Sequence, residues 1–445
     1  MTEGAVAGLL GFIGLFALIA LRIPIALAMA VVGLAGTAYL SGYRILLFQL
    51  QDLAYAQFSI YDLSVVPLFI LMGSFATRAG LSVDLFRGAN AWLGRLRGGV
   101  AMAAIGACAG FGAVCGSSLA TASAMGQVAL PELRRLNYAP SLATGVLAAG
   151  GTLGILIPPS VVLVIYAVIV EANIVTMFMA AFIPGLLAVL FFMVTIGIYV
   201  RLFPDSGPVG DPVGRDELIG ATARLLPVLA IFGLVIGGIY FGFFNPTPAA
   251  AIGALLVGAY GFGLNAAFGG RLNLAGVRDA LLETAVTTAM IYLVLFGAEL
   301  LKIFITRSGL PMLTVDAIVG SGLSPLTVLV VILAVFILLG CIMDSLSMII
   351  LAVPFFWPIL AGMDFGLGQD ELKIWFGILA LIVVELGLIT PPVGLNVFII
   401  NAMARDVPIG ETFKGVLPFF LAELVRVALL VAFPSIVLFL PRLLG

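Results

Sequence analysis

Two stretches, GTLGILIPPS at Gly151–Ser160 and GLITPPVG at Gly387–Gly394, place adjacent prolines after glycines in the middle of apolar runs. Each proline removes a backbone donor, and its ring clashes one turn back, at a cost of about 3 kcal/mol or more inside a helix. The conflict disappears if glycines end one half-helix and the prolines open the next, where the first turn tolerates them. Carbonyls of the ending half are then free to face a cation, while the N-terminus of the new half favours an anion. Two further polar clusters offer oxygen ligands in apolar surroundings: Gly116-Ser117-Ser118, and Asp344, Ser345 and Ser347 within CIMDSLS. These side chains suit helix N-caps, and they equally suit a hard cation such as sodium, which prefers oxygen to nitrogen or sulfur.

Each cluster has a plainer reading. Ser/Gly clusters let membrane helices approach closely; two tips combined with two Gly-to-Pro-Pro breaks favour an ion or substrate site. Asn396, one turn after the second break, either faces the same cavity or makes an interhelical hydrogen bond. Asp344 is the best functional acid, although a capping role also accounts for it. Glu299 with Lys302, and Glu423 with Arg426, stand three residues apart and read as structural pairs. Glu385, just before the second break, has no obvious local partner, and a coupling role is not the favoured reading.

The elements that carry these groups must cross a membrane. The chain has 445 residues, 63% of them hydrophobic and only 9% charged, with a mean hydropathy of +1.27. Recurring apolar runs of about 20 residues specify helices, because backbone polar groups in lipid need partners within each segment. A β-barrel would show short alternating strands. The N-terminal MTEGAVAGLLGFIGLFALIAL lacks a basic leader and reads as a retained first helix. A balance of 20 basic and 22 acidic residues gives no reason to expect nucleic acid. The absence of histidine removes His-based metal sites and serine–histidine hydrolysis. Cys108, Cys115 and Cys341 have no CxxC spacing and read as packing residues. No Gly-Lys pair of a Walker A loop exists, so uphill movement must be driven by another gradient.

Expected spans are residues 4–21, 23–40, 63–77, 140–172, 175–200, 225–243, 248–267, 280–305, 372–403 and 413–440. Residues 100–132 and 325–362 instead hold paired arms of about 15 residues, each rising only about 23 Å against a hydrocarbon core of about 30 Å. Each pair reads as a re-entrant hairpin. Arg87, Arg95 and Arg97 before the first hairpin and Arg134 and Arg135 after it put both its ends on the cytoplasmic side. Asp316, Asp364, Asp370 and Glu371 around the second put its opening on the other face. With both termini periplasmic, the basic residues outside are Arg44, Lys302, Arg307, Lys373 and Arg442; Arg426 lies within a span, and the rest are cytoplasmic. The Pro/Gly-rich stretch 202–224 divides a first repeat (1–201: hairpin 100–132, broken helix 140–172) from a second (225–445: hairpin 325–362, broken helix 372–403). An odd number of crossings separates equivalent elements, which makes the repeats inverted, a pattern of secondary transporters with midplane sites.

CGSSLATASAMG, GGTLGILIPPS and GLITPPVGLNVF, in this order, resemble the large membrane subunit (M subunit, DctM-like) of the tripartite ATP-independent periplasmic (TRAP) transporters, and the resemblance spans essentially the whole chain. It implies an all-α, elevator-type importer of small carboxylates in the bacterial inner membrane, with sodium ions for coupling and no other cofactor. It also implies a separate small four-helix membrane subunit and a soluble periplasmic substrate-binding protein. The moving domain would comprise residues 99–172 and 325–404. Carried over by motif, one sodium site would use Ser117, Ser118 and the break around Gly154, Ile157 and Pro159. The other would use Asp344, Ser345 and the break around Gly387, Thr390 and Pro392. Thr121, Ser160, Ser347 and Asn396 are candidate substrate contacts. A stand-alone ion-coupled anion transporter of the same broad architecture is the alternative. A membrane enzyme is disfavoured, since no nucleophile–base pair is evident and GCIM precedes Asp344.

Overall fold

The computed structural model describes residues 3–264, 272–320 and 322–444, and its regular elements among these are all helical. The chain opens with α1 (Glu3–Ala20), α2 (Ile25–Ser41), α3 (Tyr43–Phe58), α4 (Val65–Ala79) and α5 (Leu81–Leu93). Then come α6 (Gly99–Cys115), α7 (Ser118–Arg135), α8 (Pro140–Leu156), α9 (Val161–Val170) and α10 (Ile174–Leu202). The second half holds α11 (Arg215–Tyr240), α12 (Pro246–Ala259), α13 (Leu274–Ser308), α14 (Leu310–Gly320) and α15 (Pro325–Gly340). It closes with α16 (Ser345–Ala361), α17 (Gln369–Gly387), α18 (Leu395–Met403), α19 (Ile409–Ala432) and α20 (Pro434–Leu444).

Among the described residues, six elements are long and apolar enough to cross a bilayer: α1, α4 with its preceding 3-10 turn, α10, α11, α13 and α19. The pair α8 and α9, bent by 46°, makes a seventh if counted as one span. Several boundaries differ from the sequence expectation. The expected span 23–40 is the 17-residue α2, about 26 Å long. The expected span 248–267 stops being α-helical at Ala259 and turns through Tyr260–Leu264, where Gly263 has φ +111°; its end lies outside the described residues. The expected span 413–440 is interrupted at Pro434, which lacks a donor and forces Phe433 out of the helical region, to φ −128° and ψ 75°. Only residues 203–214 of the 202–224 stretch lie between α10 and α11. Helix α11 starts at Arg215, with Asp216 and Glu217 favourably placed in its first turn.

Large apolar side chains such as Leu10, Leu226, Leu255 and Val286 stand exposed on the outer faces of α1, α11, α12 and α13, a surface that suits lipid. Inside, packing relies on small residues that let backbones approach. A Cβ on Gly33 of α2 would sit 2.5 Å from the backbone of Leu300 on α13, and one on Gly415 of α19 would sit 1.8 Å from the carbonyl oxygen of Ser141 on α8.

Helices α2, α4, α12 and α13 form one packed group, with α1 and α11 against it. A second group gathers α6 to α9 and α15 to α18, with α10, α19 and α20 packed onto it; α5 contacts both. Within the second group, α9 packs on α16 and α17, whereas α18 packs on α7 and α8. The second half of each broken helix therefore lies against the hairpin of the other half of the chain. Tyr166 marks the contact of α9 with α17, the first half of the other broken helix: its ring fills the space over Gly377, and its hydroxyl donates to the carbonyl of Lys373 at 2.7 Å. Tyr166→Phe is expected to lower stability by about 1 kcal/mol, read as a lower melting temperature in detergent. An unchanged melt would show that this bond adds nothing.

Candidate functional site

The first tip is the turn between α6 and α7. Gly116 ends α6 with φ +64°, a left-handed conformation that glycine adopts without cost. Ser117 caps α7 by accepting from the Ala120 N–H at 3.4 Å. The first break meets this turn closely. A Cβ on Gly154 would lie 2.5 Å from Thr121 Oγ1 and 2.6 Å from the Ser117 carbonyl oxygen, and one on Gly116 would lie 3.1 Å from the Pro159 carbonyl oxygen. Pro158 and Pro159 stand four residues after Gly154 and Ile155 and bring no N–H to those carbonyls. Thr121 is fully buried, and its Oγ1 has no hydrogen-bond partner among the described residues. Backbone and hydroxyl oxygens thus converge where a buried acceptor is left unsatisfied. Ile157, also buried, ends α8, and Ser160 caps α9 by accepting from Leu163 N–H at 3.4 Å.

The second tip lies between α15 and α16. Asp344 caps α16, accepting from the Ser347 N–H at 3.1 Å, so the capping role weighed for it is real. Here Gly387 meets the tip: its Cβ would fall 2.5 Å from the Gly340 backbone. Beyond Gly387 the second break turns outward. Thr390 donates to Leu386 O at 2.6 Å and is only partly buried, and Pro392 is exposed. The two breaks, similar in sequence, therefore sit in different surroundings: residues 157–160 are buried throughout.

Between the tips lies a cavity of about 300 Å³ whose lining includes Ser117, Ser118, Asp344 and Ser345. Its far wall is α4 and α13, with Ser74 and Glu283. Ser74 donates to Glu283 at 2.8 Å, and Arg78 pairs with the same carboxylate at 3.1 Å. Gly387, Thr390 and Pro392 do not line this cavity, nor do Thr121, Ser160, Ser347 and Asn396. Asn396 is fully buried and donates to Ala148 O at 3.3 Å, an interhelical bond, while its Oδ1 is unpartnered among the described residues. A larger cleft of about 800 Å³ lies between α5, α7 and α11, lined by charges of both signs, including Arg87, Glu132 and Glu217. It touches neither tip.

Glu385, without a local partner in the sequence, finds two distant ones. This residue on α17 is 1% exposed and accepts from both tips: Ser345 Oγ donates to Oε1 at 2.7 Å, and Ser118 Oγ donates to Oε2. The available signal was an acid alone in a run of apolar residues, which in a membrane is a functional candidate by default. Glu283 and Ser74 were missed because their helices carry no distinctive motif.

Residues 12–436 match the family model described as the tripartite ATP-independent periplasmic transporter, DctM component. The chain is 36% identical over 386 residues to the C4-dicarboxylate TRAP transporter large permease protein DctM of Pseudomonas aeruginosa, covering 86% of this chain and 87% of that one. It is 31% identical over 383 residues to the sialic acid TRAP transporter large permease protein SiaM of Vibrio cholerae, covering 86% and 87%. A match of 30% over 431 residues to the isethionate TRAP transporter permease protein DctMQ of Oleidesulfovibrio alaskensis covers 97% of this chain but 65% of that longer protein. Among solved structures, the YdaH transporter of Alcanivorax borkumensis aligns with a TM-score of 0.66 at 17% identity over 88% of this chain and 89% of that one, a likeness of fold.

Proposed function

The chain belongs to the DctM component family of the tripartite ATP-independent periplasmic transporters, and from that premise we propose that it imports a small carboxylate across the bacterial inner membrane, driven by sodium ions. It is a multi-pass transporter permease and not an enzyme. In this reading a soluble periplasmic protein delivers the substrate, and a small four-helix membrane subunit stands beside the chain. The relatives named for C4-dicarboxylate and sialic acid support a carboxylate cargo.

The observation that carries the reading is the convergence of Ser117 O, the unpartnered Thr121 Oγ1 and Gly154 at the first break. Ser117 O accepts from Thr121 N–H at 3.0 Å and keeps a second lone pair, Thr121 Oγ1 has no partner among the described residues, and such oxygen ligands suit sodium. The cavity beside it is lined by Glu283, whose carboxylate Arg78 already pairs, and by Asp344, whose carboxylate repels an anion. Sodium at the tips offsets that charge, so cation binding prepares the cavity for a carboxylate. The helices α6 to α9 and α15 to α18 form the moving unit of an elevator, and the halves of the chain are inverted repeats with both termini periplasmic.

The test is uptake into proteoliposomes holding this chain with its small membrane subunit, supplied with binding protein and a sodium gradient. Ser117→Ala combined with Ser118→Ala removes two hydroxyl oxygens and is expected to raise the sodium concentration for half-maximal uptake about tenfold, equivalent to about 1.4 kcal/mol, with membrane insertion unchanged. Unaltered sodium dependence would remove these two hydroxyls as ion ligands. Full-rate uptake without binding protein would replace the tripartite reading by unassisted transport.

A further inference from the structure

Glu385 does more than fill a buried position. Its two carboxylate oxygens are divided between Ser118, the first residue of α7, and Ser345, the first residue of α16. Both serines also line the cavity between the tips. A hydroxyl has one proton and two lone pairs. When Glu385 is ionised, that proton is committed to its carboxylate, and each serine turns only acceptor capacity toward the cavity. Such a pair of hydroxyls welcomes a cation and offers nothing to a carboxylate.

We propose that Glu385 is a positioning residue that fixes both tip hydroxyls as acceptors, and so ties the cation sites of the two halves of the chain to one side chain. The inference rests on the sodium-coupled reading above. It assigns Glu385 no direct contact with cargo. Its separations of 267 residues from Ser118 and 40 from Ser345 make it a link between otherwise independent turns.

Glu385→Gln tests this at constant size. The amide keeps one acceptor oxygen and replaces the other with a donating NH2. One serine must then rotate, accept from the amide and point its own proton into the cavity, against a bound cation. The expected result in the reconstituted tripartite system is a sodium half-saturation raised about tenfold or more, with a Hill coefficient for sodium falling toward one, because only one tip retains its acceptor. The apparent KM for substrate at saturating sodium should be nearly unchanged. Ser345→Ala is expected to shift sodium dependence less when added to Glu385→Gln than when made alone, since the two act through one hydrogen bond.

A second readout keeps the proposal testable if uptake by Glu385→Gln is weak. Sodium-dependent thermal stabilisation of the purified complex should fall in this variant. If wild-type uptake needs no sodium, the functional reading fails. If wild-type uptake is sodium-driven and Glu385→Gln keeps the wild-type sodium dependence, losing only thermal stability, Glu385 is a structural group and this inference is overturned. Full additivity of Ser345→Ala with Glu385→Gln would overturn it as well.

Discussion

Gly154→Ala should raise the sodium requirement for uptake by roughly 5- to 140-fold while leaving the protein inserted and folded. The added methyl would stand 2.5 Å from Thr121 Oγ1 and 2.6 Å from the Ser117 carbonyl oxygen, closer than any real contact allows. Relief cannot come from α6, because its Gly112 already approaches so closely that a Cβ there would be 2.6 Å from the Gly154 Cα. The tip must move as a unit, at an overpacking cost of about 1–3 kcal/mol. Since the displaced atoms are the proposed ion ligands, that cost falls on the bound state, and each 1.4 kcal/mol is about tenfold in affinity. Gly233→Ala on α11 is the control, since a Cβ there meets nothing within 4 Å. Sodium-dependent uptake and sodium-dependent melting report the outcome. A Gly154→Ala protein with wild-type sodium dependence would show that the break and the tip do not bind an ion together.

The sequence made the breaks legible because proline acts locally. Pro158-Pro159 and Pro391-Pro392 must interrupt a helix wherever they sit, and glycines just before them mark where it ends. The tips were legible for a similar reason, since Ser117 and Asp344 are capping residues in otherwise apolar runs, and both cap helices in the structure. Pro434 carried the same local message, and its interruption of the expected span 413–440 follows from the same chemistry.

What escaped the sequence were relations across the fold. Nothing near Glu385 in the chain indicates that Ser118 will reach it from 267 residues away. Nor does any local feature place Glu283 of α13 beside Ser74 of α4, 209 residues apart, on the wall facing the tips. The second break illustrates the complementary limit. Its motif parallels the first, yet Thr390 and Pro392 face outward while Ile157 to Ser160 are enclosed. Burial depends on the helices around a motif, here α9 and α18 exchanged between the hairpins, and a motif does not encode its neighbours.

The buried ion pair on α19 has a different expected signature, one of stability without specificity. Arg426 is fully buried and Glu423 is 3% exposed. Arg426 Nε donates to both carboxylate oxygens at 3.0 and 3.1 Å, and Nη2 donates to the same group. Nη1 reaches across to the Pro184 carbonyl oxygen on α10 at 2.9 Å, so the pair fastens α19 to α10. Arg426→Met leaves the Glu423 carboxylate buried and uncompensated, and removing one member of such a pair costs about 3–5 kcal/mol. Combined replacement, Glu423→Met with Arg426→Met, removes both charges and should recover most of that loss, because apolar residues of similar volume often substitute for a buried pair at little cost. The expected pattern in detergent is a large fall in melting temperature for the single variant and a small one for the double. Uptake per folded molecule should be near wild type in the double variant. If both variants melt normally and neither transports, the pair belongs to the transport machinery, because a fastening between α10 and α19 cannot be removed without loss of stability and still abolish function.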